Sequence, residues 1–317
     1  MDKKTKIQFI IFPIVVFMAI FVSSKLFPNF SPSTSPSQAS TEIILSNAKE
    51  EAQKNENLII QEKKKVPERN WKIYDPELHS EAVLLYSLDD DVSLFRSNVT
   101  KEWPAASLTK LVTALMVIEN YKDTDRIVVD ADAVSTEGTS GDLRSGEVYA
   151  TEDLLKVMLL ASSNDAAKAF ANNLGKEKFI LDMNNKAESL GMTHTLFHDS
   201  SGLYELNVTT ADDIQKLSKY ILENHPEIFN WSRLPSVLVQ STNDARSNTV
   251  LNINPFVVDQ NFLGGKTGTS PEAKENLVAL FTFHGRRVLV IILGSDNRVN
   301  EVNNLFRWAE IAFTFPN

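Results

Sequence analysis

Three short groups of polar residues in this chain could carry out nucleophilic chemistry, and the first is Ser107-Leu108-Thr109-Lys110. A serine and a lysine three positions apart fall on one face of a helix, so the amine can reach the hydroxyl. A lysine held neutral by burial or by nearby cations can take the serine proton, which turns a weak hydroxyl into a nucleophile. The spacing alone says little, because Ser and Lys are common enough for about one chance match in a chain of this size. Ser46 and Lys49 repeat it in a charged stretch. The second group is Ser162-Ser163-Asn164, just after the apolar run Leu154–Ala161. Ser162 offers a hydroxyl that can relay a proton, and Asn164 an amide that can hold a peptide carbonyl or a lysine. Ser-x-Asn recurs at Ser241–Asn243 and Ser295–Asn297, where a cap or turn explains it. The third group is Lys266-Thr267-Gly268 within Leu263–Ser270. It supplies a positive charge, a hydroxyl and a residue that lets a substrate approach the backbone. A phosphate-binding loop would need glycine at 260, where Gln260 stands.

Positioning these groups requires both helices and strands. Ala82–Leu88 and Val92–Ser97 flank Asp89-Asp90-Asp91 and predict a hairpin. A helix is expected from about Ser107 to Tyr121, with Leu111, Val112, Leu115 and Ile118 on one face. Further helices fit 151–161, 165–174, 177–190 and 211–223, with Thr151 and Thr210 as N-caps and Gly175 and Gly191 at C-terminal ends. Leu277–Phe283 and Val288–Gly294 predict two late strands, and an amphipathic helix with Val302, Leu305, Phe306, Ala309 and Ile311 closes the chain. Strands at both ends with helices between predict an α+β fold whose one sheet is completed by the two ends of the chain.

Composition narrows the function. The 41 acidic residues outnumber 32 basic ones, giving a net charge of −9, which argues against nucleic acid as a partner. There is no cysteine, so thiol nucleophiles and cysteine-held metals are excluded. The histidines at 79, 194, 198, 225 and 284 include an i,i+4 pair but no HExxH pattern, so a solvated or core role is expected and no metal. Lys3, Lys4 and Lys6 precede an apolar run from Ile7 to Val22. Residues 1–27 are therefore expected to form an N-terminal membrane anchor, with everything after it outside the cytoplasm; a cleaved signal peptide is the alternative. Residues 28–67 form a Ser/Pro-rich and then charged linker, and the folded domain is expected over 68–317.

Order binds the three groups together. SxxK, then SxN, then KTG is the signature set of penicillin-binding proteins and serine β-lactamases. The flanking stretches Trp103–Lys110, Leu159–Ala167, Phe197–Leu203, Thr209–Asp213 and Arg298-x-x-Glu301 resemble the D-alanyl-D-alanine carboxypeptidases of the low-molecular-mass penicillin-binding family. The resemblance implies a β-lactamase/transpeptidase-like fold, an antiparallel sheet against a mainly helical region with the site in the cleft between. It implies Ser107 as nucleophile, Lys110 as base and Ser162 as proton relay. Asn164, Lys266, Thr267, Gly268, Thr269 and Arg298 would bind the substrate, with the Ser107 and Thr269 N–H groups as oxyanion hole. The implied substrates are peptidoglycan stem peptides ending in D-Ala-D-Ala, and the implied inhibitors are β-lactams; no cofactor is implied. DD-transpeptidase or endopeptidase activity, a serine β-lactamase and a non-catalytic peptidoglycan-binding module are the alternatives. A β-lactamase would need a carboxylate for its water, and Glu205 stands at the wrong spacing for that role. Two departures stand out, Thr269 after Lys-Thr-Gly and Lys274 where a glycine is common, and they predict a more polar strand edge. The β-rich C-terminal module that many relatives carry is not present in this sequence, and the N-terminal anchor would take over its tethering task.

Overall fold

The computed structural model describes residues 66–120, 125–138 and 141–316; the expected anchor, and all but the end of the linker, lie outside the described residues. Two strands near the start, β1 (Ala82–Ser87) and β2 (Val92–Ser97), form the expected hairpin. Three more follow the helical stretch, namely β3 (Phe262–Ser270), β4 (Lys274–Phe283) and β5 (Arg286–Ser295). They make one antiparallel sheet in the order β3-β4-β5-β1-β2, so the two ends of the domain join where β5 pairs with β1.

Side chains alternate across this sheet. Leu84, Tyr86, Leu280, Leu289 and Ile291 face a large helical core, while Val83, Leu85, Phe281, Val290 and Ile292 face the last helix. Because both faces are covered, β1 is buried along its whole length and its sequence, Ala-Val-Leu-Leu-Tyr-Ser, shows no polar alternation.

The longer helices among the described residues are α1 (Thr109–Asn120), α2 (Thr151–Leu160), α3 (Asn164–Leu174), α4 (Lys176–Ser189), α5 (Ala211–Asn224) and α6 (Arg298–Ala312). Among the described residues none is long and apolar enough to cross a membrane. Gly175 and Gly191 follow helix ends with φ of 86° and 71°, and the Thr210 hydroxyl caps α5 by accepting from Asp213 N at 3.1 Å. Thr151 is not a cap; it is the first helical residue, and its hydroxyl donates to Asp125 O. The helix expected from Ser107 begins only at Thr109. Ala106 has φ of 46°, which no α-helix contains, so Ser107 sits on a 3-10 turn over Ala106–Leu108. In α6 the buried stripe is Val302, Leu305, Trp308, Ala309 and Ala312, and Ile311 points to solvent.

Candidate active site

Ser107 is held between two neighbours that leave no room for extra atoms. On one side runs β3, the terminal strand of the sheet. A Cβ on its Gly268 would lie 3.1 Å from Ser107 N and 3.2 Å from Ala105 O, so glycine permits this approach. On the other side, a Cβ on Gly202 (φ 80°) would fall 1.8 Å from Ala106 O. The buried Asn276 of β4 ties the turn down, donating to Pro104 O at 2.8 Å and Ala105 O at 3.2 Å while accepting from Gly294 N.

Lys110, the second residue of α1, is completely buried. Its Nζ lies 2.9 Å from Ser107 Oγ, 2.8 Å from Asn164 Oδ1 and 2.6 Å from Ser201 O. Burial pulls its pKa down to about 7, against the opposing pull of the Asp199 carboxylate. An ammonium would donate to all three partners. A neutral amine has two hydrogens, which the two carbonyl oxygens must take, so its lone pair turns to the Ser107 hydroxyl. Both carbonyls are fixed in place. Asn164 Nδ2 donates to Glu137 O at 2.8 Å. The Asp199 carboxylate accepts from the N–H groups of Ser201, Gly202 and Tyr204 and from the Ser201 hydroxyl, folding the loop that presents Ser201 O.

Ser162 occupies the link between α2 and α3 with φ of 56°, a left-handed backbone uncommon outside glycine. Next to it Ser163 caps α3, accepting from Ala166 N. Ser162 Oγ accepts from Lys266 Nζ at 2.8 Å, and the same amine donates to Thr267 O at 2.7 Å. Burial, then the charges of Lys110 and Arg298, push the Lys266 amine well down.

Thr267, Thr269 and Arg298 line a cleft of about 470 Å³ together with Ile253, Pro255 and Glu275. Arg298 Nη2 donates to Thr269 Oγ1, and Nη1 donates to Asn276 O at 2.7 Å. Its Nε and backbone N both donate to Glu275 Oε2, at 3.1 and 2.9 Å. Burial raises the Glu275 carboxyl, but these bonds and the guanidinium charge outweigh it and hold the group below the usual carboxylate range.

All nine residues marked in the sequence are thus gathered in one region around Ser107, the Ser-x-Asn repeats elsewhere are structural, and Ser46 and Lys49 lie outside the described residues. Ser241 Oγ donates to Asn243 Oδ1, and Asn297 caps α6. His194 contacts Glu102 at the surface. Lys274 has φ of 53°, which explains why glycine suits that position. Sequence reasoning missed Asp199, Ser201, Asn276 and Glu275. The last two did leave a signal, as a polar pair opening an otherwise apolar strand, Leu277–Phe281. Ser201 acts through its carbonyl, which any residue type would supply.

A family model described as D-alanyl-D-alanine carboxypeptidase matches residues 69–297. Curated relatives include a D-alanyl-D-alanine endopeptidase of Haemophilus influenzae, 34% identical over 211 residues, covering 64% of this chain and 70% of the relative. The D-alanyl-D-alanine carboxypeptidase DacC of Escherichia coli is 30% identical over 250 residues, covering 74% of this chain and 62% of the relative. Among solved structures, a penicillin-binding protein homolog from Mycobacterium tuberculosis superposes with a TM-score of 0.71 at 24% identity, over 77% of this chain and 96% of that one, a likeness of fold. With its family match running through all three motifs and the penicillin-binding fold carrying them, this chain belongs to the D-alanyl-D-alanine carboxypeptidase family of serine peptidases.

Proposed function

We propose that the chain removes the terminal D-alanine from peptidoglycan stem peptides ending in D-Ala-D-Ala, through an acyl-enzyme on Ser107 that β-lactams also form. The observation that carries this is the buried Lys110 amine, whose two carbonyl partners leave its lone pair for the Ser107 hydroxyl. Lys110 takes that proton as Oγ attacks the penultimate D-Ala carbonyl. The N–H groups of Ser107 and Thr269, on the two elements that Gly268 allows into contact, receive the oxyanion. Ser162 accepts from Lys266 and so keeps its own proton to hand to the leaving amine. Asn164 holds Lys110 and the acyl chain, while Lys266, Thr267, Gly268, Thr269 and Arg298 bind the C-terminal end of the substrate. Water then cleaves the ester and frees Ser107. Mass spectrometry of pentapeptide-bearing muropeptides should show loss of one alanine, and Ser107→Ala should abolish both this and covalent penicillin labelling while leaving the protein folded. Labelling that survives Ser107→Ala would assign the nucleophile elsewhere.

The domain acts at the outer face of the cell membrane, held by residues 1–27 as a single span and by 28–67 as a spacer. The lysines before the apolar run support this orientation. Protease added to intact spheroplasts should digest the domain; a mature N-terminus near residue 25 would replace the anchor with a cleaved signal.

A further inference from the structure

A substrate carboxylate seeks a cation with an open hydrogen-bonding face. Arg298 meets that need only in competition, because its guanidinium already has a carboxylate of its own. Glu275 stands directly across from Thr269 in the β3–β4 pairing and lines the same cleft. It takes two hydrogen bonds from Arg298, and the remaining guanidinium nitrogens donate to Asn276 O and Thr269 Oγ1. The Arg298 side chain is only 8% exposed, whereas that of Glu275 is 36% exposed and faces the space a ligand would enter. An arriving carboxylate would therefore meet the charge of Glu275 as well as that of Arg298, and the two act in opposite senses. The cleft, walled on one side by Ile253 and Pro255, is also larger than a single alanine requires.

We propose that Glu275 is a specificity-determining residue: by ion-pairing Arg298 it removes most of the advantage of a free C-terminal carboxylate, so that leaving groups whose carboxyl is amidated or extended into a longer chain are accepted on nearly equal terms. This rests on the assignment of Ser107 as the nucleophile of a D-Ala-D-Ala hydrolase. Glu275 acts on substrate through Arg298 and leaves the chemistry at Ser107 untouched.

The test compares diacyl-L-Lys-D-Ala-D-Ala with its C-terminal amide, in the wild type and in Glu275→Gln. Glutamine keeps an acceptor for the Arg298 N–H groups and removes only the charge. In the wild type the two peptides should differ in kcat/KM by less than about tenfold, since the charge-assisted bond is largely cancelled. In Glu275→Gln the KM for the free acid should fall by about tenfold, with kcat and the amide unchanged. A wild type that rejects the amide by about a thousandfold or more overturns the proposal, as does a variant whose two peptides change together. Benzylpenicillin and its methyl ester give the same comparison through acylation rates, without peptide hydrolysis. If both β-lactams label Ser107 and neither peptide is cleaved, the hydrolase assignment fails while the Glu275 effect is still read from the ratio of labelling rates.

Discussion

At the scale of single residues, the pH at which Lys110 loses its proton governs the nucleophile. Only the neutral amine can accept from Ser107, so penicillin acylation should rise with pH and reach half its plateau at about pH 7. Lys110→Arg should give no such rise and almost no acylation, because guanidinium stays protonated; stopped-flow labelling across pH measures both. The sign also appears in stability. Folded Lys110 releases its proton more readily than the unfolded chain, whose lysine titrates near 10.5. Between those values the unfolded state binds more protons, so this group's contribution to stability increases with pH. Glu205 belongs to the same scale. It lies exposed in a turn, so the penicilloyl-enzyme should persist for minutes or longer and Glu205→Gln should leave its lifetime unchanged. Benzylpenicillin turnover above about one per second, lost in that variant, would instead mark a β-lactamase. Side-chain chemistry was what the sequence disclosed best, since Ser107, Lys110 and Ser162 are recognisable by type, spacing and order. The carbonyl of Ser201 was invisible in it because a backbone oxygen leaves no trace in residue identity.

Among elements, the decisive feature is how closely β3 and the 199–204 loop press on the nucleophile turn. Gly202→Ala would drive a Cβ into Ala106 O and displace the turn, costing at least ~2 kcal/mol of stability and most of the acylation rate. Gly285 offers the control. It sits in the turn joining β4 to β5 with φ of 71° and open space around it, so Gly285→Ala should cost only about 1–2 kcal/mol and leave acylation intact. Melting temperatures and labelling rates of the two variants separate the cases. Hydrophobic patterning located α2 to α5 to within a residue or two, and it found the β1–β2 hairpin. The hairpin Ser236–Gln240 with Ser247–Leu251 escaped, because only Val239 and Val250 of it are fully buried and its other face carries Leu238 and Leu251 into solvent. The start of α1 was misplaced for a different reason: the positive φ of Ala106 is imposed by its neighbours, and alanine has no preference that would reveal it.

For the molecule as a whole, the sheet and helical core form a compact unit from Lys64 onward. A fragment spanning 64–317 should fold on its own and be acylated at the rate of the full chain, with penicillin labelling of both forms in detergent as the measurement; a fragment that stays unlabelled would show that the first 63 residues contribute to folding. The two-ended sheet was foreseeable from strand patterns at both ends of the domain. Its order was not, because the pairing of β5 with β1 is chosen by packing on two faces at once, and one-dimensional periodicity does not encode that choice.

That same pairing has a consequence during synthesis. Ser107 and Lys110 leave the ribosome early, yet β3, which carries Lys266 and Gly268 to them, can join the sheet only through β4 and β5. A nascent chain that has not yet delivered residue 295 has its serine and lysine but no completed cleft. The cleft beside the reactive hydroxyl is therefore closed by a late arrival: only when β5 pairs with β1 can β4, and then β3, reach it.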